Sequence, residues 1–523
     1  MCTIIAAGKK ATADGSILVS HSDAGKDSRV RIIERASYPE GSQANVYWGL
    51  QEIRNDDLND FGEVLGQIPQ VKETFRYFHS AYSHINEHQL VIAESTISQK
   101  EELVCSRDNS GAIITAEQAM IFALQRCKTA QQAIYCIAGL METYGFLPSC
   151  VNGAEAFCIA DPDEIWVMEV VGVGPNWQPN SGKPGAIWVA RKLQNDEALI
   201  IANWSIIREI DDQDTENFIV SKHYKSEALN RGWYDDCMAK PFIWQEIYCP
   251  VPREWATERL WLFYSSIAPS YTQWPDRKLE KDKFKTLDQY GQYVEPLSLY
   301  PFSVKPEIPL TVEFIKSFQR SVFENTIYDI TEQPQWYVLD NEGNTVKSPL
   351  ATPFPSNDLR RLLKLSHRRT VARHFGYYGM ICQLREKLPD DIACIYWIYL
   401  DNPQISAYLP LYLGVKSIHP AYQIYNPEVY SDESARWTID FVDNMVQMQY
   451  QDAIKDVKAA IEIFEKKIAD EMQLLEQKIA INPDCENLQE EITGFCKGLM
   501  SQVPALYVNI RNQLIVKYTN NKK

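Results

Sequence analysis

The sequence predicts a mixed α+β protein, and three patterns support this prediction. Short apolar runs bounded by turn residues fill much of the first half, as is typical of strands. The segments 116–127 and 130–144 have the length and composition of helices. From Ile454 onward, apolar residues recur every three or four positions, which indicates one long helix. The predicted fold class is therefore α+β with a helical C-terminal extension.

The first predicted element is a β-hairpin. Two apolar runs, 3–8 and 17–20, are joined by a loop that contains Asp14-Gly15, a pair typical of hairpin turns. This hairpin would place residue 2 at the free end of a strand within a sheet, which is a rigid support. Further strands are predicted at 89–94, 156–160, 165–172, 186–190 and 199–202, and 161–164 is predicted to be the turn of a second hairpin.

The remaining chain divides into a middle segment and a C-terminal region. Residues 211–309 are rich in aromatics and prolines without clean periodicity, so loops and short helices are expected there. The helical pattern in the C-terminal region carries many acidic residues on its polar face. This favours packing on the protein's own body or on a sister subunit of a homo-oligomer over a membrane-binding or partner-binding helix. We predict one domain over 1–430, with a loop-rich insertion around 211–309, and a mainly helical region over 431–523. The apolar positions of the long helix are Val457, Ile461, Phe464, Ile468, Met472, Leu475 and Ile479.

Composition excludes several classes of protein. The 523 residues carry a net charge of −17, which argues against a broad nucleic-acid or anionic-membrane surface. No apolar run reaches the length of a transmembrane helix, and Lys9 and Lys10 interrupt the first apolar run where a signal peptide would continue, so we expect a cytoplasmic protein. The twelve cysteines include no Cys-x-x-Cys pair and are expected to be mostly buried thiols.

Cys2, directly after Met1, is the most informative residue. A small second residue permits removal of the initiator methionine, which would leave cysteine at the N-terminus. Such a residue combines a thiol with a pKa of about 8.5 and an α-amine with a pKa of about 7.7–8.0. The amine can accept the thiol proton near neutral pH, which is the chemistry of N-terminal-nucleophile (Ntn) hydrolases.

Three other polar residues are candidates for roles beside this nucleophile. Asp23 follows Cys2 at the distance of a hairpin, where a carboxylate can hold and orient the α-ammonium group. Asn86 and Asn203 offer neutral amide donors suited to a developing oxyanion, and Asn203 ends the predicted strand 199–202.

A metallopeptidase is an alternative hypothesis. His84, Glu87 and His88 spell the inverted zincin motif, in which a helix brings two histidines to one face. Here Asn86-Glu87 resembles a turn and a β-prone run follows, so the two histidines are not expected to converge, and the sequence offers no obvious third ligand. We therefore expect no metal and no cofactor.

Several motifs, in order, resemble the cysteine-nucleophile dipeptidases, which are related to the secernins and more distantly to penicillin V acylase and bile salt hydrolase. The similarity extends over nearly the whole chain. The motifs are Cys2-Thr3, Gly8-Lys9-Lys10-Ala11, Asp14-Gly15-Ser16, Asn86-Glu87-His88-Gln89-Leu90 with Glu94, Ile159-Ala160-Asp161-Pro162, Trp166-Val167-Met168-Glu169, Ala202-Asn203, Tyr328-Asp329-Ile330-Thr331, 408–415, and Asp440-Phe441-Val442 with Asn444.

The resemblance implies a four-layer αββα sandwich that cleaves dipeptides with broad side-chain tolerance and without a metal. Carried over by position, Cys2 would be the nucleophile, Asp23 the acid that orients its amine, and Asn86 and Asn203 the oxyanion and substrate amides. His21 stands where many relatives have an arginine, and Asp23 lies one position early. This departure keeps open a non-catalytic, secernin-like interaction protein as a third hypothesis.

The charged termini of a dipeptide need partners of their own. We predict Glu155 for the substrate ammonium and Arg208 for its carboxylate, with His21 at the substrate site. A basic stretch over 360–374 lacks the interleaved aromatics of a nucleic-acid site and is expected to be paired locally. Relatives carry an Arg-Thr pair near Arg369-Thr370, which makes Arg369 a further candidate for the active site.

Overall fold

The computed structural model describes residues 2–22, 25–150, 153–238, 240–251, 256–270, 300–326, 328–386, 388–482 and 487–519. Its strands are β1 Thr3–Ala7, β2 Ile17–Ser22, β3 Arg31–Ile33, β4 Ala36–Ser37, β5 Gln43–Trp48, β6 Glu63–Pro69, β7 Glu73–Thr74, β8 Tyr77–His79, β9 Val91–Ser98, β10 Gly153–Ala160, β11 Ile165–Val171, β12 Ile187–Leu193, β13 Ala198–Ile201, β14 Phe218–Val220, β15 Tyr337–Leu339, β16 Thr345–Lys347, β17 Tyr378–Leu384, β18 Cys394–Leu400 and β19 Leu409–Tyr412. Its α-helices are α1 Ala116–Arg126, α2 Ala130–Tyr144, α3 Tyr224–Asn230, α4 Trp244–Tyr248, α5 Ala256–Ile267, α6 Val312–Gln319, α7 Asn357–Leu363, α8 Asp390–Ala393, α9 Ala435–Val446, α10 Tyr450–Ile481 and α11 Leu488–Tyr518.

A six-stranded antiparallel sheet holds the N-terminus in its interior. Its order is β13-β1-β2-β17-β18-β19, so β1 lies between β13 and β2. The predicted hairpin of β1 and β2 is confirmed, with Ala7 opposite Leu18 and Gly15 in the turn at a φ of 76° that an L side chain rarely adopts. Every residue of β1 and β2 is buried.

A second, five-stranded antiparallel sheet has the order β14-β12-β11-β10-β9. The predicted turn between β10 and β11 is confirmed: Asp161 accepts hydrogen bonds from the backbone N–H groups of Asp163 and Glu164 and so closes the hairpin. The edge strand β9 contacts β1 and β2 of the six-stranded sheet, and the polar residues of β9 therefore lie close to the N-terminus.

Helices contact both sheets. The helices α1 and α2 begin at Thr115 and Thr129, whose hydroxyl groups accept hydrogen bonds from backbone N–H groups of the first turn, and they pack on strands of the five-stranded sheet. The helix α5 contacts β13, and α6 contacts β2 and β17 of the six-stranded sheet. The α+β class is thereby confirmed, with two large sheets in contact and helices against each.

The C-terminal helices pack on the far edge of the six-stranded sheet. All the apolar positions that predicted the long helix are buried in α10. The helix α9 contacts β18, and α11 contacts β19. From α10, Glu465 binds Arg320 at 2.6 Å. The helix α11 lies in the region predicted to be mainly helical, although its bounds were not predicted, and the division into domains at residue 430 stays a prediction. None of the helices in the described ranges is both long and apolar enough to cross a membrane.

Candidate active site

Cys2 lies immediately before β1 and faces the other sheet. Its Sγ donates a hydrogen bond to Oε1 of Glu94 on β9, at 3.2 Å. The exposed fraction of Cys2 is 4% in this chain, which still carries Met1. The thiol is thus fixed at the contact between the two sheets, where strands on both sides limit its movement.

Arg259 of α5 holds the backbone around Cys2. Its Nη1 donates to the carbonyl oxygen of Cys2 and to Oγ1 of Thr3, both at 2.9 Å. Its Nη2 donates to the carbonyl oxygen of Ala202 and to Oδ1 of Asn203, both at 3.0 Å. Because one planar guanidinium group binds the segments at both strand ends, it fixes the start of β1 relative to the end of β13.

Asn203 lies opposite Cys2, since Ile4 pairs with Ile201 in the antiparallel register of β1 and β13. It is fully buried and has a φ of 60°. Its Nδ2 donates to the carbonyl oxygen of Thr96 at 2.9 Å and makes only a long contact of 3.4 Å with Oγ of Ser95. The amide therefore has one hydrogen in a weak bond that a better acceptor can replace.

A line of histidines leads from the thiol into the six-stranded sheet. Nε2 of His21 lies 3.8 Å from Oε1 of Glu94. Nδ1 of His21 lies 2.8 Å from Nε2 of His84, whose Nδ1 lies 3.0 Å from the hydroxyl of Tyr396. Burial lowers the pKa of His84 well below its ordinary value, so this ring is neutral.

Two more buried carboxyl groups, those of Glu155 and Glu117, interact with Glu94, the hydrogen-bond partner of the thiol. Glu94 pairs with Phe157 on β10, so Glu155, two residues earlier, lies on the same face of the sheet. Burial raises the pKa of Glu94, although hydrogen bonds with Glu155 and Cys2 lower it. Burial likewise raises the pKa of Glu117, against the hydrogen bond from Ser149. The site is therefore rich in carboxyl groups, whose oxygens could bind a cationic group.

The side chain of the predicted residue Asn86 is held by four hydrogen bonds to the backbone. Its Nδ2 donates to the carbonyl oxygens of Leu124 and Cys127, both at 2.8 Å. Its Oδ1 accepts from the backbone N–H groups of His88 and Leu90. Both amide hydrogens are used to join the turn before β9 to the end of α1, and an oxyanion role would require one of these bonds to break.

The residues of the inverted zincin motif point to different neighbours. His84 binds His21 and Tyr396, as described above. Glu87 binds Arg35 at 2.7 Å. His88 packs edge-on against Phe75. This placement does not support the metallopeptidase hypothesis.

The other predicted residues are not brought to Cys2 by any described contact. Arg208 donates to the carbonyl oxygen of Tyr300 at 3.4 Å. Arg369 donates to the carbonyl oxygen of Thr370 at 2.6 Å and lines a surface pocket beside α7. Asp23 lies outside the described residues.

Two residues of the site were not predicted from the sequence. Glu94 is a charged residue inside an apolar strand run, which is the signal that could have identified it. Arg259 is a fully buried arginine in a helix rich in apolar residues. Its described hydrogen bonds reach residues 2, 3, 202 and 203, and no local pattern indicates partners so distant in sequence.

Comparison with known proteins gives consistent results. The sequence model of one protein family, described as peptidase family C69, matches residues 1–462. A probable dipeptidase of Salmonella dublin is 22% identical over 80% of this chain and 82% of its own length. A probable dipeptidase A of Streptococcus pyogenes serotype M3 is 20% identical over 96% of both chains. Dipeptidase A of Lactobacillus helveticus is 22% identical over 81% of this chain and 77% of its own length.

Proposed function

Because the chain belongs to peptidase family C69, we propose that it is a dipeptidase whose nucleophile is Cys2, with the α-amine of that residue as the base once Met1 has been removed. The observation that carries this proposal is the position of Cys2, fixed by Arg259 at the contact of two sheets with its thiol against Glu94. The names of the relatives, which are dipeptidases or probable dipeptidases, supply the reaction.

The same proposal assigns the protein a four-layer αββα fold. The two contacting sheets, with α1 and α2 against one and α5 and α6 against the other, are consistent with the four layers of an αββα Ntn sandwich. In that arrangement the end of β1 is a rigid mount for a terminal nucleophile, because β13 and β2 pair with it on both sides.

The reaction begins with proton transfer within one residue. The α-amine of Cys2, directly or through a water, accepts the proton of Sγ, and the thiolate attacks the carbonyl carbon of the peptide bond. The amine then returns the proton to the leaving amino group, which departs as the C-terminal amino acid. Water, activated by the same amine, hydrolyses the thioester and releases the N-terminal amino acid.

Asn203 is our candidate for the oxyanion donor. It lies opposite Cys2, and its Nδ2 has one hydrogen in a long contact of 3.4 Å. Arg259 acts through Cys2 and Asn203, since it binds the carbonyl oxygen of one and the amide oxygen of the other, and we assign it a positioning role. Asn86, whose amide is used in the turn before β9, is left with a structural role.

Recognition of the substrate ends accounts for broad specificity. Every dipeptide presents one ammonium and one carboxylate at a fixed spacing, whatever its side chains. The buried carboxyl groups of Glu94 and Glu155 are suited to the ammonium. Arg208 remains the predicted partner of the carboxylate, and Arg369 remains a further candidate for the active site. A site that reads only these ends tolerates many side chains.

The test compares Cys2→Ala and Cys2→Ser with the unaltered enzyme on a panel of dipeptides. Both substitutions keep a small second residue, so removal of Met1 is unaffected. We expect the alanine variant to lose activity by at least about 10⁴-fold, as nucleophile deletions do in other hydrolases. The matched control is Cys237→Ser, which removes an exposed thiol and should leave activity unchanged.

Mass spectrometry of the N-terminal peptide tests the base. We expect the active enzyme to begin at Cys2 and a thiol-directed inhibitor to add its mass to that peptide. A fully active preparation that retains Met1, or an active alanine variant, would refute the proposal.

A further inference from the structure

We propose that Cys2, His21 and Glu94 also form a binding site for a thiophilic divalent cation such as Zn²⁺, which inhibits the enzyme reversibly by coordinating its nucleophile. The inhibition rests on the proposed function, whereas the binding of the cation does not. In the part of the chain that the structure describes, only this set of histidine, cysteine, aspartate or glutamate side chains brings at least three ligand atoms close enough together to hold an ion.

The distances between the ligand atoms fit such an ion. Sγ of Cys2, a ring nitrogen of His21 and a carboxylate oxygen of Glu94 all lie within 4.8 Å of one another. The separation is 3.2 Å between Sγ and Oε1 and 3.8 Å between Nε2 and Oε1. Bonds of about 2.0–2.3 Å at tetrahedral angles require about 3.3–3.6 Å between ligand atoms. The side chains therefore need shifts of only a few tenths of an ångström for these two pairs.

The donor set selects the type of cation. A thiolate together with an imidazole suits Zn²⁺ and similar transition metals, whereas Mg²⁺ and Ca²⁺ prefer oxygen ligands. Removal of Met1 adds a fourth donor, because the free α-amine and the thiolate of Cys2 can then bind one ion as a five-membered chelate. The complete set would be two nitrogens, one sulfur and one oxygen, which is a four-coordinate zinc environment.

The residues behind His21 orient it as a metal ligand. Nδ1 of His21 lies 2.8 Å from Nε2 of His84, which can accept a hydrogen bond from it. His84 in turn can donate from Nδ1 to the hydroxyl of Tyr396 at 3.0 Å. These hydrogen bonds can hold the proton of His21 at Nδ1, and Nε2 lies 3.8 Å from Oε1 of Glu94. Metal-binding histidines are commonly fixed in this way through their second ring nitrogen.

The proton balance of binding is simple and involves no redox step. The ion forms bonds to Sγ, Nε2, the carboxylate and the amine, and it displaces the thiol proton and any proton held by Glu94 or the amine. These protons are released to the solvent. Binding should therefore tighten as the pH rises.

Cobalt is the direct probe for this site. Metal-free enzyme that begins at Cys2 is titrated with Co²⁺, and the absorption spectrum is recorded. We expect one equivalent to produce a thiolate charge-transfer band in the near ultraviolet and intense visible bands of four-coordinate cobalt, and Zn²⁺ to abolish both. An absent thiolate band would overturn the proposal.

Three variants show which residues bind the ion. We expect Cys2→Ser to remove the thiolate band, and His21→Gln and Glu94→Gln each to weaken cobalt binding at least tenfold. Far-ultraviolet circular dichroism checks that each variant is folded. If His21→Gln is unfolded, Glu94→Gln, which preserves the size of the side chain, still tests the site. Cys237→Ser, which removes an exposed thiol, should bind cobalt as the unaltered chain does. A band that persists in folded Cys2→Ser would place the ion elsewhere and refute the site.

The activity assay separates this inference from the proposed function. We expect Zn²⁺ to inhibit dipeptide cleavage with the same affinity with which it displaces cobalt, and a chelator to restore the activity. An active enzyme that Zn²⁺ does not inhibit would refute the inhibitory site alone. Full activity in Cys2→Ala would instead refute the proposed function, while the cobalt spectrum would still report on the metal site.

Discussion

Two groups of polar side chains, one around Cys2 and one on and beside α9, differ in how their charges are paired. The nucleophile cluster consists of Cys2, His21, Glu94, Glu155 and Arg259, all of which are buried. Within the described residues, no lysine or arginine forms an ion pair with Glu94, and the described hydrogen bonds of Arg259 go to carbonyl, hydroxyl and amide oxygens. The described hydrogen bonds of Arg259 thus hold the backbone on both sides of the nucleophile.

The C-terminal charge cluster consists of His374, Asp401, Arg436, Asp440 and Asp443. Arg436 of α9 lies 3.0 Å from Asp401 and 3.4 Å from Asp440. His374 binds Asp443 at 2.6 Å. Burial raises the pKa of Asp401 even so, which shows how much the interior disfavours a carboxylate. Each acid here has a basic partner within the protein.

The difference separates a structural group from a site that receives ligands. The C-terminal charge cluster supplies its own basic partners, so each of its three acids is paired without a cation from outside. Among the described ion pairs of the nucleophile cluster, Glu94 has only His21, at 3.8 Å, and a cationic group such as the amine of Cys2, a substrate ammonium or a metal ion can bind it more closely. Unbalanced titratable groups in a buried site are typical of function.

The largest effect is expected from breaking the C-terminal charge cluster. Arg436→Met leaves the buried Asp401 without its cation, and we expect the free energy of unfolding to fall by about 3–5 kcal/mol. The shift of the urea unfolding midpoint measures this loss. The rate constant kcat of the folded enzyme should not change.

A double variant is the control for this prediction. Asp401→Asn combined with Arg436→Met removes both charges and should recover much of the lost stability. If kcat fell in the folded single variant, the C-terminal charge cluster would have to be counted as part of the active site, and the comparison would fail.

The next effect concerns the nucleophile cluster. Asn203→Asp keeps an oxygen for Arg259 but replaces the predicted oxyanion donor with a carboxylate. We expect kcat to fall by about 10²–10³-fold, as in other hydrolases that lose one oxyanion donor. Steady-state kinetics on a dipeptide measures kcat and KM separately. An unchanged kcat would exclude Asn203 from the oxyanion site.

Local patterns predicted much of the nucleophile cluster's framework. The strands β1 and β2 and the helices α1 and α2 lie within two residues of their predicted bounds, because apolar runs, turn residues and helix caps are all local signals. The strand β9 was predicted to end at Glu94 but continues to Ser98. The polar residues at 94–96 end the apolar pattern because they contribute to the site. The sequence therefore did not predict the second half of this strand.

Long-range pairing explains what the sequence did not reveal. The strand β17 pairs with β2 across more than 350 residues, and no local pattern indicates that partner. Arg259 binds residues 2 and 203 from a helix in the segment expected to be loop-rich. Asn86, by contrast, was recognised as part of a turn, but only the structure shows that both its amide hydrogens are used there.

The smallest effect sharpens the comparison through pH. Burial lowers the pKa of His374. The hydrogen bond with Asp443 and the negative charge of that residue raise the pKa by more than burial lowers it, so the pKa lies above its ordinary value of 6.5. A histidine with a raised pKa in the folded state stabilises the protein fully below the unfolded value of 6.5, and this contribution is lost as the pH rises through the folded value. We expect His374→Gln to lower the free energy of unfolding by about 1–2 kcal/mol at pH 6 and by less at pH 9. Urea unfolding at both pH values measures the difference. A loss that did not depend on pH would show that His374 acts by packing alone and that its pair with Asp443 carries no charge.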